Sequence, residues 1–472
     1  MNFPNMNEMV SIGDLMELNK ALRKAGTIGY QTPADTTVGG TLSPLVPQSL
    51  EGTLASATFT MKQLSIWPRI PKKPVSQTVH EYTVVNEHGM DLDPFIAEGG
   101  GGTTNSSDYT RQAVQIKYMA ERREVTDVAT MVGLIGPNAN ALAEETERGT
   151  ISLMQKVERQ ILHGNVDLNA NGFDGIIEQV RNGGNVTDLE GSPVTSDLLQ
   201  ELLGTLQSAP YFGNPDTIYL EPKVLQDLIR QTVAFGRHDQ VKVSDGTKVT
   251  FGARNIEIMS SYGPIPVQPA PFLFTAYPAP TAGSGGTSAP STPTINAQPV
   301  HAAGLTGTSG WLAADAGDYY WKMVAVSDGG YSAPVTSAQT AVVVDQKIAI
   351  DMDDAAAQAA DVPVKYYRVY RSAKDGAVGT CKLLLEVPVN ALGGAAGTYF
   401  GDLNNVKPNT TKSLIVQHDP TIMEFVRLLD FLRRPLAEVA TTKPFLLMLF
   451  GAPVVKVPSK CWLLDNIGVT PS

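Results

Sequence analysis

Five residues between positions 167 and 178 have the spacing of a calcium-binding EF-hand loop. Such a loop needs carboxylate and amide oxygens at alternating positions, a glycine in the middle and a glutamate at the end. The residues are Asp167, Asn169, Asn171, Gly172 and Glu178. Two features weaken the match: Asp174 stands where an apolar residue is usual, and Gly183 and Gly184 would end the exit helix early. A tight polar turn explains the same residues, so both interpretations stay open and we favour the turn.

Residue types that carry enzymatic chemistry are scattered along the chain. No pair of histidines has the HExxH spacing, and no serine stands in a Gly-x-Ser-x-Gly elbow. The histidines are His80, His88, His163, His238, His301 and His418. The acidic runs Asp91 with Asp93, and Asp351 with Asp353 and Asp354, are typical of solvated loops. We therefore predict no catalytic, cofactor-binding or metal-binding residues, no cofactor, and a protein that is not an enzyme.

The charge balance argues against one large class of functions. The 36 basic and 47 acidic residues give a formal net charge of 36 − 47 = −11. A protein that holds nucleic acid mainly by releasing counterions is normally basic. The chain of 472 residues is 42% hydrophobic, which is enough for a real core and suggests about two to four domains.

Neither the cysteines nor the hydropathy pattern indicates export or a membrane. Cys381 and Cys461 are expected to be free thiols in a reducing compartment. Residues 1–30 lack a basic-then-apolar signal pattern. The longest apolar run, at 444–455, contains two prolines and is too short to span a bilayer. These features predict a cytoplasmic product.

The clearest element is a long amphipathic helix at 140–163. Its stripe repeats near the 3.6-residue period and consists of Leu142, Thr146, Leu153, Met154, Val157, Ile161 and Leu162. Asn138 or Asn140 would cap its start, and Gly164 would form a left-handed C-cap. Such a helix would be roughly 36 Å long. A helix of that length with one modest apolar stripe is expected to brace other parts of the molecule.

Residues 64–125 predict a long two-stranded hairpin with alternating apolar side chains in both strands. The polar tip includes Gly99–Gly102, but it lacks the Lys-Ser/Thr ending of a phosphate-binding loop, so we interpret it as flexible. An isolated hairpin is marginal in water. The stretch 27–60 also has few large apolar side chains, and an amphipathic helix at 11–25 precedes it. Both segments therefore need an external partner.

The region 196–260 has an α/β pattern. One helix begins at Ser196, a strand covers Thr217–Leu220, a second helix begins at Pro222, and a strand covers Val249–Met259. This alternation predicts a sheet with helices packed on it.

At Tyr277 the composition changes. Residues 277–294 form a linker rich in Pro, Gly, Ser and Thr, and 295–404 predict one β-sandwich of about 110 residues. Its clustered aromatic residues would serve either glycan binding or the core, and the core is at least as well supported. They are Tyr319, Tyr320, Trp321, Tyr366 and Tyr367.

After the sandwich the earlier pattern resumes. Thr421 and Glu424 have the spacing of a capping box, which predicts a helix that Pro435 ends. Two apolar strands follow, Phe445–Val457 and Cys461–Ile467. The sandwich is therefore expected to be inserted into a host domain.

In this order of elements the chain resembles the major capsid proteins of tailed bacteriophages, which share the Hong Kong ninety-seven type fold. The resemblance covers about 1–275 and 412–472 and is carried by NANALAEETERGTISLMQKVERQILHG and LMLFGAPVVKVPSKCWLLDNI. Within 295–404, YYWKMVAVSDGGYSAP and YYRVYRS resemble fibronectin-type-III or immunoglobulin-like modules. The implied fold class is α+β, with an N-terminal arm, an E-loop hairpin, a P-domain with a long spine helix and an A-domain, plus the all-β sandwich insertion.

The resemblance implies a division of the chain. It assigns 1–60 to the N-terminal arm, 61–125 to the E-loop with flanking P-domain strands, and 126–185 to the P-domain with its spine helix at 140–163. Residues 186–276 would form the A-domain, 277–294 the linker and 295–404 the insertion. Residues 405–472 would return through the A-domain and the closing strands of the P-domain, with most of 412–445 in the A-domain. Some family members cross-link their shells through a lysine near the E-loop tip. Residues 74–116 contain no lysine, so we do not expect that route here.

The resulting prediction is a major capsid protein that self-assembles into the icosahedral shell around the double-stranded DNA of a tailed phage, with the inserted domain displayed outside. The implied partners are copies of itself in hexamers and pentamers, portal, scaffolding and cement proteins, and packaged DNA by weak non-specific contact, with no membrane. The implied location is the virion, assembled in the host cytoplasm. The alternative is an adhesin or decoration protein that binds host surfaces through the inserted domain.

Overall fold

The structure is a computed structural model, and it describes residues 61–89, 95, 98–101, 104–131, 140–183, 185–234, 243–244, 248–249, 257–273, 277–284, 290, 292, 294–300, 310–327, 330–353, 364–388, 398–438 and 441–469. The chain divides into two compact units. One of them, Met1–Ser56 with Gly133–Ala139, lies outside the described residues, as do the helix predicted at 11–25 and the whole stretch 27–60. The second unit, Ala57–Val132 with Asn140–Ser472, is described below.

The described residues contain five α-helices. They are α1 (Asp127–Met131), α2 (Ala141–His163), α3 (Ile176–Asn182), α4 (Ser196–Gln207) and α5 (Pro222–Ala234). None of the described helices is both long and apolar enough to cross a bilayer.

The described strands fall into three groups along the chain. Before residue 277 they are β1 (Lys72–Pro74), β2 (Val79–Glu87), β3 (Asp108–Gln115), β4 (Lys117–Thr126), β5 (Val186–Asp188), β6 (Thr217–Leu220), β7 (Val243–Ser244), β8 (Lys248–Val249), β9 (Glu257–Ser260) and β10 (Gly263–Pro269). Next come β11 (Thr294–Val300), β12 (Gly317–Tyr319), β13 (Trp321–Ser327), β14 (Gly330–Tyr331), β15 (Val335–Thr336), β16 (Thr340–Val342), β17 (Lys347–Asp353), β18 (Tyr366–Arg371), β19 (Lys382–Pro388) and β20 (Thr398–Asp402). The last group is β21 (Thr410–Val416), β22 (Met423–Pro435), β23 (Thr442–Val455) and β24 (Trp462–Gly468).

The long helix predicted at 140–163 is present as α2. Asn140 caps it by accepting a hydrogen bond from the Leu142 N–H at 2.9 Å, and Arg148 reaches back to Glu144 at 2.8 Å. The predicted left-handed cap at Gly164 is wrong, because its φ is −54°. Glycine is needed there for another reason: a Cβ would collide with the carbonyl oxygens of Gln160 and Phe173.

A four-stranded sheet in the order β1-β22-β23-β4 packs on one side of α2. β23 is antiparallel to both neighbours, and β1 joins β22 in parallel. Glu121 of β4 ties the sheet to the helix, because its carboxylate accepts hydrogen bonds from Ser152 at 3.0 Å and Lys156 at 2.9 Å. Leu153, Val157 and Ile161 of α2 are buried in the shared core.

The helix predicted from Thr421 is wrong, since Met423–Pro435 is strand β22. Asp419 closes the preceding turn by accepting the Thr421 N–H at 2.8 Å, so the expected capping box is not formed. The four residues from Met423 to Val426 are all buried in succession. Such a run is typical of a strand covered on both faces. Among the described residues of the stretch 412–445, only 412–416, the end of strand β21, belong to the second sheet.

The second sheet has six strands in the order β5-β24-β21-β6-β10-β9. Its middle strand β6 covers the predicted Thr217–Leu220 and is buried along its whole length. Leucines of α4 cover it, and Thr195 caps that helix by accepting the Leu198 N–H at 3.3 Å. The strand predicted as Val249–Met259 is represented by β8 and β9, and the residues between them lie outside the described part.

Described residues between 294 and 402 form three small sheets with antiparallel pairing. One has the order β11-β17-β20, one pairs β12 with β16, and one has the order β14-β13-β18-β19 with β15 on β13. Trp311, Trp321 and Tyr367 fill their core, beside a fully buried ion pair in which Arg371 lies 2.8 Å from Asp402. Residues 351 and 353, expected in a solvated loop, belong to strand β17.

Candidate functional site

Strands β2 and β3 form a two-stranded sheet of their own, called the arm below. They pair antiparallel from Val79 opposite Gln115 to Glu87 opposite Asp108. Neither strand contains a buried residue. The eight-residue strand spans roughly 25 Å. A lone two-stranded hairpin is only marginally stable in water. We therefore expect the arm to be stabilised by contact with another surface.

Large apolar side chains are exposed on the arm and on the strand that continues from it. They are Val79 at 47%, Val85 at 45%, Tyr109 at 63% and Tyr118 at 61% of their full exposure. Tyr118 stacks edge-on against Phe450 of the adjacent strand, with ring centroids 4.8 Å apart. Exposed apolar side chains therefore occur both on the arm and on the adjoining strand β4. Such side chains can contribute to an interaction surface.

The chain leading into the arm is fixed to α2 by a buried carboxylate, Glu158. Its Oε1 accepts the backbone N–H groups of Ser65 at 2.8 Å and Ile66 at 2.7 Å, and its Oε2 accepts that of Trp67 at 2.9 Å. The Ser65 hydroxyl adds a fourth hydrogen bond at 2.9 Å. The side chain is fully buried, so these donors replace the water that an ionised carboxylate would otherwise need.

Sequence reasoning missed Glu158, although one signal was present. Glu158 lies four residues after Met154 and three before Ile161, on the apolar stripe of α2. A charged residue on a buried stripe is rare unless it is paired.

A second buried carboxylate, Glu424 of β22, lies where the arm meets the body. Lys456 is 3.0 Å away, His80 of β2 is 3.6 Å away and Lys73 is 3.7 Å away. Burial and the nearby Lys73 lower the pKa of His80 below its usual value, so its neutral form is favoured. Glu158 therefore fixes the approach to the arm, whereas Glu424 lies beside the first strand of the arm without a hydrogen bond to His80.

The residues proposed for calcium instead contact neighbouring backbone. The Asn169 side chain accepts the Asn171 N–H at 3.1 Å, and Asp174 accepts the Val166 N–H at 2.9 Å. Glu178 lies on α3 and pairs with Arg181 at 3.0 Å. Among the residues that the structure describes, no three His, Cys, Asp or Glu side chains are grouped as metal ligands. Asp167 and Gly172 belong to the same turn region.

The described histidines occupy separate environments. His163 is half-buried and donates from Nε2 to the Phe272 carbonyl at 2.7 Å, and desolvation together with Lys412 lowers its pKa to about 3. His418 donates from Nδ1 to Asp216 at 2.9 Å and accepts from the Tyr219 hydroxyl at 2.9 Å. His88 and His80 lie near and on the arm, while His238 and His301 fall outside the described residues.

The aromatic cluster of the all-β region is mainly internal. Tyr319, Trp321 and Tyr367 are almost fully buried, and Tyr320 and Tyr366 are half-buried. Trp321 also donates from its ring N–H to Asp402 at 2.9 Å. This arrangement fits the core interpretation of these residues better than a glycan-binding platform. Both cysteines are free and buried.

The chain is similar to two phage proteins over nearly its whole length. One is the "Putative major capsid protein" of Enterococcus phage phiEF24C, 23% identical over 465 residues and covering 96% of each chain. The other is the "Major capsid protein" of Staphylococcus phage K, 21% identical over 483 residues and covering 94% of each. These relatives do not favour the adhesin alternative. No protein-family model matches the chain.

A solved structure, the capsid of an empty GTA particle, covers 92% of this chain and 100% of its own, with a TM-score of 0.46 and 9% identity. That score is too low to carry an argument.

Proposed function

We propose that this chain is the major capsid protein of a tailed bacteriophage and that its copies assemble into the icosahedral shell around the double-stranded DNA. The observation that carries the proposal is the similarity of almost the entire chain to phage major capsid proteins. Its role is structural, and no catalytic residue is assigned.

The geometry supplies the physical reason for assembly. The arm has no buried residue and exposes Val79, Val85 and Tyr109. Laying it on a second copy would remove that apolar surface from water, at about 25 cal/mol for each Å² buried. Glu158 fixes the chain that leads into the arm to α2, and a repeating contact requires such a fixed approach. By the resemblance to phage capsid proteins, we propose that the arm is part of the E-loop and that α2 is the spine helix.

Further proposals concern the other parts and partners. Copies would form hexamers and pentamers, with portal, scaffolding and cement proteins as additional partners and only weak contact with packaged DNA. The all-β region would be an immunoglobulin-like domain displayed on the outside of the virion. The net charge of −11 fits a shell whose inner surface does not bind DNA tightly.

The test is assembly of the purified chain, followed by electron microscopy and sedimentation. The wild-type chain should form closed particles or capsomers. A variant in which a short Gly-Ser turn replaces residues 81–113 should keep the circular dichroism of the folded body but stay unassembled. The matched control replaces only the tip, residues 98–101, and should assemble. A wild-type chain that stays monomeric under all assembly conditions would refute the proposal.

A further inference from the structure

Arg159 follows Glu158 on α2 but points to a different environment, because successive helix residues are rotated by about 100°. Its guanidinium lies over the ring of Tyr277, 5.4 Å from the centroid. In the part of the chain that the structure describes, no carboxylate pairs with it. The group is only partly exposed. A half-buried guanidinium with an aromatic neighbour and no counter-charge is unusual, and such a group is suited to binding an anion.

Two cavities meet at Arg159. One has a volume of about 450 Å³ and the other about 210 Å³, and Arg159, Tyr277 and Leu383 line both. The larger cavity lies between the C-terminal end of α2 and strand β19 of the all-β region. The smaller one is bounded by the rings of Tyr331 and Tyr370. Together they have the size of a small-molecule site, which typically measures about 300–1,000 Å³.

The carboxylates that line these cavities already have partners. Arg181 lies 3.0 Å from Glu178 and 2.6 Å from Asp465. Arg368 lies 2.8 Å from Glu386. None of the three acids is therefore left to neutralise Arg159.

Counting the lining charges leaves one positive charge in excess. Lys412 lies 3.7 Å from Asp465 and shares it with Arg181. The four cations, including Arg159 and Lys412, face three carboxylates. His163 adds no charge, since burial and Lys412 hold its pKa near 3. Burial lowers the pKa of Lys412, so the positive excess among the described lining residues is at most 4 − 3 = +1, which suits a monoanion.

We propose that Arg159 is the anion-binding residue of a small-ligand site between α2 and the all-β region, and that the ligand is a monocarboxylate carried on a ring. The planar guanidinium suits a carboxylate because it can donate two parallel hydrogen bonds. The ring of the ligand would lie against Tyr277 and Tyr331, where aromatic faces and Leu383 form the wall. The site is independent of the arm and goes beyond the shell function.

The experiment measures binding of benzoate and glucuronate to the full-length chain by saturation-transfer NMR and calorimetry. At least one acid should bind, and the neutral benzamide should bind no more than a tenth as tightly as benzoate. Arg159→Gln should weaken acid binding roughly tenfold to a hundredfold, since hydrogen bonds to charged groups are the strong ones. Preference for benzoate indicates an aromatic acid, and preference for glucuronate indicates an acidic sugar.

The matched control is Arg230→Gln, which removes an exposed arginine that pairs with Asp227 on α5 and should leave binding unchanged. Arg159→Lys keeps the charge without the planar fork and should give intermediate affinity. Melting temperatures of all variants report whether they fold. The proposal fails if neither acid binds at about 10 mM, if benzamide equals benzoate, or if folded Arg159→Gln binds the acids as well as the wild type.

Discussion

At the scale of single residues, the molecule depends on ionisable groups that are buried and fully engaged. Glu158 accepts four hydrogen bonds, three of them from successive backbone N–H groups. Replacing Glu158 by glutamine would exchange one carboxylate oxygen for an NH₂ group, and this amide donor would then face a backbone N–H donor. Such a mismatch leaves buried polar groups unsatisfied, which costs more than the hydrogen bond itself contributes.

We expect Glu158→Gln to lower the free energy of unfolding by about 1–3 kcal/mol. Hydrogen exchange at residues 65–67 should also become faster, because their N–H groups lose the carboxylate. The control is Glu201→Gln on the exposed face of α4, which should change stability by less than about 0.5 kcal/mol. Equal effects of the two substitutions would contradict the role assigned to Glu158.

His163 predicts a specific pH dependence. Its folded pKa of about 3 lies below the unfolded value of about 6.5, so the folded state prefers the neutral ring. The resulting stability is present above pH 6.5 and is lost as pH falls towards 3. Between pH 7.5 and 5, the wild-type chain should lose about 2 kcal/mol more stability than His163→Gln. Denaturant titrations at both pH values measure this difference, and parallel losses would disprove it.

At the scale of elements, close approach of backbones sets the geometry of the four-stranded sheet. A Cβ at Gly451 of β23 would clash with the Phe425 ring and lie 2.7 Å from the Val426 carbonyl oxygen of β22. Gly204 of α4, in contrast, has nothing within 4 Å of such a Cβ.

Gly451→Ala should therefore destabilise the fold by about 1–3 kcal/mol through overpacking. Gly204→Ala should leave it unchanged or stabilise it by up to about 1 kcal/mol, because alanine favours helices. Thermal unfolding of the two variants provides the comparison. A stabilising Gly451→Ala would show that β22 and β23 are less tightly packed than described.

Elements whose signals are local were predictable from the sequence. The long helix and the strand Thr217–Leu220 each carry their own periodicity, and the structure has them at nearly the predicted bounds. The hairpin is shorter than predicted, because Lys117–Thr126 pairs with β23 and not with β2. Met423–Pro435 was mispredicted because its strand partners come from β1 and β23, and a local capping pattern says nothing of them. The role of Glu158 was not predicted, because the groups that donate hydrogen bonds to it lie more than ninety positions away in the chain.

At the scale of the whole molecule, the all-β region leaves and re-enters the body at one place. The Thr411 hydroxyl donates to the Leu273 carbonyl at 3.0 Å, so the two ends of the excursion are adjacent. The main cores of the body contain no residue between 274 and 410. The body therefore has its own apolar interior.

Replacing residues 277–408 by a short Gly-Ser linker should leave the body folded and competent to assemble. The removed area includes β19, so binding of benzoate or glucuronate at Arg159 should be lost at the same time. Microscopy of the particles and calorimetry of the acids measure the two outcomes. A shortened chain that does not fold would show that the body depends on the excursion.

The order in which the six-stranded sheet is threaded has a consequence for synthesis. β24 follows every other strand of that sheet in the chain, yet it lies between β5 and β21. While the ribosome is still translating, β5 has no neighbour to pair with and Leu464 cannot close the core beneath α4. We expect a polypeptide that stops before β24 to leave this sheet incomplete and therefore to stay out of any assembly.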